Sequence, residues 1–352
     1  MGVTTLRSQT PIFLFVSLHL CGEKSAQKLH YKVLMDSNDF KVIARKTKEM
    51  KITLNVVAVL FLFVGSCKQV EKESGLDRVV YQQEIDQWHQ KRIDELRSET
   101  GWLNLAGLFW LKEGINTFGS DKSNDLVFPE GKIAPKAGFF LVKSGVVQMN
   151  VIGDVKVMKD SVMVKEEIIF HPDSVKNATL THGSLQWFVI KRDDQVGIRL
   201  RDLQSKGVEE FSGIERYEVD PAWRVEATLD VLPTPKKISI TNVLGQTTDQ
   251  VSPGTLVFEL DGQTYTLDAL ESGNDELFII FGDPTNEKET YPSGRYLYAK
   301  IPDANGKVIV DFNQSINPPC AFTPFATCPL PPPQNVLPIA IRSGEKNYKG
   351  AH

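Results

Sequence analysis

Arg295, Asp311 and Asn313 are residues whose types and spacing could do chemistry. Arg295 opens a predicted strand, Asp311 and Asn313 close the next, and a hairpin between them places all three at neighbouring strand ends. A guanidinium fork beside an Asn amide can hold a carboxylate or phosphate, while Asp311 could act as a base or keep the arginine oriented. The same residues fit a partly buried Arg295–Asp311 ion pair that fixes the loop after it.

Cys320 and Cys328 admit three readings. In an exported protein the simplest is a disulfide closing a short loop. A nucleophilic thiol at Cys320 needs a base, and no His lies between His182 and the terminal His352. A two-thiolate metal site needs two further ligands that are not in sight. His89, His171 and His182 are isolated and read as structural or surface residues. The chain has no Gly-x-Ser-x-Gly, Walker loop, Gly-x-Gly-x-x-Gly or His-Glu-x-x-His. Neither a metal nor a cofactor is expected.

The elements that position these residues follow from composition and pattern. With 352 residues, 41% hydrophobic, 24% charged and a net charge of -4, the chain reads as globular, and its mild acidity argues against a nucleic-acid partner. Residues 50–67 read as a secretory signal: Lys51, an apolar stretch from Ile52 to Val64, then Gly65, Ser66 and Cys67. That ending resembles a bacterial lipobox, which makes residues 50–66 a lipoprotein signal peptide and Cys67 the lipidation site, an anchor without a membrane span. Because a signal peptide is N-terminal, residues 1–49 are read as a mis-assigned upstream extension; their apolar run, Ile12 to Cys21, has Leu20 where a lipobox needs a small residue. Residues 67–79 are a polar linker.

The fold class is mainly β: an N-terminal amphipathic helix followed by two antiparallel β domains, each a sandwich or barrel. The helix runs from Val80 to Arg97, with Ile85, Trp88, Ile93 and Leu96 near one face. Trp102 to Leu111 is strongly apolar and is expected to pack under the first sheet. Short alternating runs then succeed one another: 139–142, 146–151, 162–164, 185–190 and 196–200, and after Pro221, 225–231, 238–243, 256–260, 264–267, 277–281, 296–299 and 308–312. Asp261-Gly262 and Asn305-Gly306 supply hairpin turns between strand pairs. A soft boundary near Asp220-Pro221 divides residues 80–220, helix plus first domain, from 221–346, a second domain ending in a Cys- and Pro-rich loop. Pro329 to Pro333 reads as an extended strap.

Two resemblances add to this. Gly114 to Ser120 followed by Asn124 to Pro129 resembles the opening of a forkhead-associated domain, a phosphothreonine-binding β-sandwich, and implies a sandwich-like region near residues 114–200. Ser120 stands where that family has its phosphate-binding Arg, and Ala137-Gly138 where it has a Ser-containing turn, so the binding activity is not carried over. Gly197-Ile-Arg199-Leu-Arg201-Asp202, Asp283-Pro-Thr285, Glu289-Thr290-Tyr291, Gly294-Arg295-Tyr296-Leu297, Asp311-Phe312-Asn313, Asn317-Pro-Pro-Cys320-Ala-Phe322-Thr323, Cys328-Pro-Leu-Pro-Pro and Gly344-Glu345-Lys346 together resemble the bacterial and archaeal domain of unknown function family sixteen eighty-four. The resemblance runs from about Val80 to Lys346, and the family has no established activity.

The functional reading is an exported, lipid-anchored protein of the bacterial cell envelope, periplasmic or surface-exposed, that binds a small molecule, glycan or envelope protein without transforming it. Thr290, Tyr291, Arg295 and Asn317 are the candidate ligand-binding residues. The alternative is a hydrolase with a polar pocket around Arg295, Asp311, Asn313 and Glu345, with Cys320 reduced. A third reading makes these motifs the fasteners of the C-terminal loop.

Overall fold

The computed structural model describes residues 77–350, apart from 175–177, 193 and 274 and the side chains of 232 and 233. The extension, the signal peptide and Cys67 lie outside the described residues, as does residues 67–76 of the linker. Asp77 caps helix α1 (Arg78–Arg97), its carboxylate accepting from Val79 N at 2.9 Å and Val80 N at 3.3 Å. The helix buries Tyr81, Ile85 and Leu96. No helix among the described residues is long and apolar enough to cross a membrane.

The rest is mainly β. The strands before residue 203 are β1 (Leu105–Trp110), β2 (Gly114–Gly119), β3 (Leu126–Val127), β4 (Gly138–Lys143), β5 (Val146–Val151), β6 (Val157–Lys159), β7 (Val162–Val164), β8 (Glu166–Phe170), β9 (Leu180–His182), β10 (Leu185–Arg192) and β11 (Gln195–Asp202). They form a sheet in the order β1-β11-β10-β9-β6-β7 and another in the order β3-β2-β4-β5-β8. All pairs are antiparallel except β2 with β3. Side chains from both sheets meet in one core, in which Phe118, Phe128, Phe140 and the fully buried Trp187 form an aromatic cluster. The apolar segment after Trp102 does not pack under a sheet. It becomes the edge strand β1, because its backbone groups are satisfied by pairing with β11.

Beyond a short helix α2 (Lys206–Glu209) come β12 (Arg224–Thr241), β13 (Thr247–Leu260), β14 (Gln263–Glu271), β15 (Glu276–Phe281), β16 (Arg295–Lys300) and β17 (Lys307–Asp311). Their sheet has the order β16-β15-β14-β13-β12-β17, and its edge strands β16 and β17 lie side by side, so it curls into a near-barrel. Its interior is filled by Leu256, Phe258, Leu267, Ile279, Phe281, Leu297, Val310 and Phe312. Two runs separate in the pattern, 225–231 and 238–243, are one strand, β12, whose register shifts between Val231 and Lys236; the irregularity takes up the prolines there. Asp261 (φ 51°) and Gly262 (φ 72°) form the expected tight turn between β13 and β14. The turn at Asn305-Gly306 does not join a hydrogen-bonded hairpin, because β17 pairs with β12 and not with β16.

Candidate functional site

Arg295 and Asp311 therefore stand on strands that do not bond each other, and each has a different partner. Arg295 has no exposed surface, and its Nη2 donates to Asp283 Oδ2 at 2.9 Å and to Ile341 O at 2.7 Å; Nη1 donates to Ser343 O. Asp283 Oδ1 accepts in turn from Thr285 N at 2.9 Å and Ile341 N at 3.1 Å. The arginine also lies 5.2 Å above the Phe281 ring. Burial pulls its pKa down and Asp283 pushes it back up.

Asp311 meets the helix instead. The Tyr81 hydroxyl donates to its two oxygens at 2.8 and 2.7 Å, and Asn313 N donates to Oδ1 at 3.0 Å. The Asn313 amide donates to Tyr81 Oη and to Asp220 O, both at 2.9 Å, and its Oδ1 accepts from Ser343 Oγ at 2.9 Å. Burial raises the pKa of Asp311, against the donors that stabilise its charge.

Glu345 is a third node. Its Oε2 accepts from Asn317 N at 2.6 Å and its Oε1 from Arg92 Nε of α1 at 3.3 Å, while Arg92 Nη2 donates to Asn317 O at 3.2 Å. Burial raises the Glu345 pKa most strongly, with Arg92 opposing. Asn317 Nδ2 donates to Lys346 O at 2.8 Å. Thr290 has no exposed surface and shares a 2.8 Å hydroxyl bond with Thr285. Tyr291 is partly buried, and burial and the nearby cysteines push its hydroxyl up to about 12.

Two glycines show how tightly this region is closed. Gly294 (φ 86°) and Gly344 (φ 78°) adopt left-handed backbone, and a Cβ would lie 2.5 Å from Phe281 O at the first and 2.6 Å from Ser315 O at the second. Arg295, Asp311, Asn313, Asn317 and Glu345 are thus linked through Ser343 and Ser315 to α1 and to residues 311–346. None of the five lines the cleft beside them, and their polar groups are spent mainly on backbone or on one another, with Arg295 Nε and Asn317 Oδ1 buried without a partner.

Cys320 and Cys328 sit apart from this chain of bonds as two free thiols, Cys320 partly exposed and Cys328 buried, with Cys320 N donating to Cys328 Sγ at 3.0 Å. Among the described residues no three His, Cys, Asp or Glu side chains gather within ligating reach.

A cleft lies beside the network, lined mostly by residues that the sequence does not mark as functional. Residues 215–217 run antiparallel to 344–346, through Tyr217 N to Gly344 O (3.0 Å) and Lys346 N to Glu215 O (2.8 Å), which brings Arg216 and Tyr217 beside Lys346. The Asp220 carboxylate caps the turn Pro221–Trp223 by accepting from Ala222 N at 2.9 Å. Together with the first turn of α1 these segments enclose a cleft of about 920 Å³. Arg78, Arg216, Arg342 and Lys346 line it against Glu218 and Asp220, with Tyr81, Tyr217 and Trp223 as its aromatic walls.

Most of these groups are held in place. Lys346 Nζ stands 5.0 Å over the Tyr217 ring. Tyr217 donates to Glu289 Oε2 at 3.0 Å, and burial followed by Glu289 keeps its hydroxyl neutral by pushing it up to about 12. Arg342 also grips Glu289, at 3.0 to 3.2 Å, in an exposed pair. Arg216 is different. Its Nη2 pairs with Asp86, but its buried Nη1 has no hydrogen-bond partner. The local marks of this site in the sequence are Lys346, within a family motif, and the run Arg216 to Trp223, which falls on the expected boundary between domains.

The family model described as Protein of unknown function (DUF1684) matches residues 209–346. The chain is similar to the solution NMR structure of the uncharacterized protein from gene locus rrnAC0354 of Haloarcula marismortui: 34% identity, 39% of this chain and 77% of that chain covered, TM-score 0.33. It is also similar to a structure from a structural and functional analysis of phosphothreonine-dependent FHA domain interactions: 12% identity, 27% of this chain and 92% of that chain covered, TM-score 0.19. No curated protein matches the chain.

Proposed function

Because the chain belongs to the family described as Protein of unknown function (DUF1684), and because the motif residues Arg295, Asp311, Asn313 and Glu345 are engaged with one another's segments, we propose that the protein is a non-catalytic receptor for an anionic small molecule or acidic glycan. The observation that carries this reading is a cleft lined by four cations, Arg78, Arg216, Arg342 and Lys346, against two carboxylates. Trp223 and Tyr217 offer flat apolar area against which a sugar or ring can lie. The exposed Arg342–Glu289 pair is free to exchange its carboxylate for a ligand's. On this reading α1 is the amphipathic helix that forms one wall, and the two mainly antiparallel β regions stand within one compact unit.

We further propose that Cys67 carries a lipid anchor and holds the protein at the bacterial cell envelope. The support is the run Lys51 to Cys67, a charged start, an apolar stretch and a small-residue ending. Cys67→Ala is expected to move the protein from the membrane fraction to the soluble fraction of its host; retention at the membrane in that variant would rule the anchor out.

Calorimetric titration tests the cleft, with inorganic phosphate, citrate and an oligouronate set against a neutral sugar of similar size. Anions are expected to bind and the neutral sugar is not. Lys346→Glu is expected to weaken the tightest anion by about tenfold or more, which corresponds to 1.4 kcal/mol or beyond, and to weaken it less at high salt. Equal binding of the neutral sugar, or an unchanged affinity in Lys346→Glu, would defeat the reading.

A further inference from the structure

We propose that Cys320 and Cys328 form a reversible dithiol–disulfide site, in which Cys320 is the sulfur that reacts with an external disulfide and Cys328 resolves it. The site lies among side chains that the anion cleft does not use.

The two sulfurs are already neighbours. Cys320 opens onto the surface from the turn Pro319–Ala321, and its backbone N–H donates to Cys328 Sγ at 3.0 Å. Cys328 is fastened to the near-barrel by its own carbonyl, which accepts from Val243 N at 2.9 Å. Next to it Leu330 N donates to Thr241 O at 2.8 Å and the Tyr296 hydroxyl to Pro329 O at 2.8 Å. A bond between the sulfurs therefore asks for little movement of the chain.

What separates this pair from two cysteines packed as small apolar residues is its asymmetry. Cys320 is partly exposed, while Cys328 is buried in the cluster that contains Tyr296, Ile238 and Ile240, so an external disulfide reaches the first sulfur and not the second. Between the sulfurs, the Cys328 thiol holds the proton and is pushed up, and its hydrogen bond brings the Cys320 thiol down. Tyr291 and Tyr296, which also face the pair, are pushed up and stay neutral.

The chemistry balances with a disulfide as co-reactant. The Cys320 thiolate attacks one sulfur of R–S–S–R, forming Cys320–S–S–R and releasing a first thiolate. That thiolate takes the Cys328 proton. The Cys328 thiolate then attacks the Cys320 sulfur, expelling a second thiolate, so the protein pair loses two electrons and two protons and the external disulfide becomes two thiols.

The test treats the reduced full chain with glutathione disulfide, quenches with an alkylating agent and maps the peptides. The expected result is joint loss of both thiols, a mixed disulfide trapped on Cys320 in Cys328→Ser, no adduct on Cys328 in Cys320→Ser, and full recovery of thiols with dithiothreitol under native conditions. In the unaltered reduced chain Cys320 is expected to alkylate at least about tenfold faster than Cys328 under native conditions. Near-UV circular dichroism checks each fold, and short-time mapping of the unaltered chain reads the same attack site without any substitution. Attack at Cys328 first, a bond that dithiothreitol cannot open in the folded protein, or equal alkylation rates of the two thiols would each overturn the proposal.

Discussion

Arg295→Ala is expected to cost about 3–5 kcal/mol of folding stability, read by chemical denaturation, because it leaves the Asp283 carboxylate buried without its cation. Both side chains have no exposed surface, so water cannot replace the lost partner. The loss reaches further than the pair, since the same guanidinium holds the carbonyls of Ile341 and Ser343 and so ties the C-terminal segment to β16. Asp283→Ala should cost a similar amount, because it strands Arg295 and frees the N–H groups of Thr285 and Ile341. The double variant is expected to lose far less than the two losses added together, the mark of residues acting as one unit. A loss below about 1 kcal/mol for Arg295→Ala would show a solvated arginine and reopen the catalytic reading.

Phe312→Ala is the second large effect, again about 3–5 kcal/mol. Phe312 sits between two residues that look functional in the sequence, Asp311 and Asn313, yet it is a fully buried filler of the near-barrel. Its ring meets Phe281 edge-on at 5.5 Å, Phe258 at 5.8 Å and Trp223 edge-on at 6.4 Å. The cavity left behind would border the wall that carries Trp223, so anion affinity should fall along with stability. Phe312→Leu, which keeps most of the volume, should recover most of both. Stability unchanged within about 1 kcal/mol in Phe312→Ala would mean that the barrel interior is not packed around this ring.

Much of the β architecture was legible because alternation with a period of two reports which side of a strand is buried. Phe139 to Val142, Leu185 to Ile190 and Leu277 to Phe281 all fall inside strands at nearly their expected limits. Pairing was less legible. Alternation says nothing about a strand's neighbour, and β17 turned to β12 rather than to the strand before it. A hairpin of β16 with β17 would bring Arg295 and Asp311 together, and the molecule does not make it.

Arg295, Asp311, Asn313, Asn317 and Glu345 form a linked set in the fold, but their residue types do not reveal what they bind. An arginine at the start of a strand reads the same whether it faces a ligand or a buried carboxylate, and Asp283 lies twelve residues away from Arg295 in a different segment. The cleft was harder still, since it takes Arg78 and Tyr81 from the helix, residues 216 to 223 from the connection, and Arg342 and Lys346 from the last segment. Only the fold brings these together.

Hydrogen exchange of the whole chain, with and without its tightest-binding anion, tests most directly that the cleft is the binding site and the motif residues its frame. Binding at the cleft predicts new protection in residues 78–82, 216–223 and 342–346, with residues 283–295 and 311–317 slow to exchange in both states. Protection that appears in 283–295 or 311–317 while the cleft segments stay unchanged would contradict the account and return those motifs to the binding site.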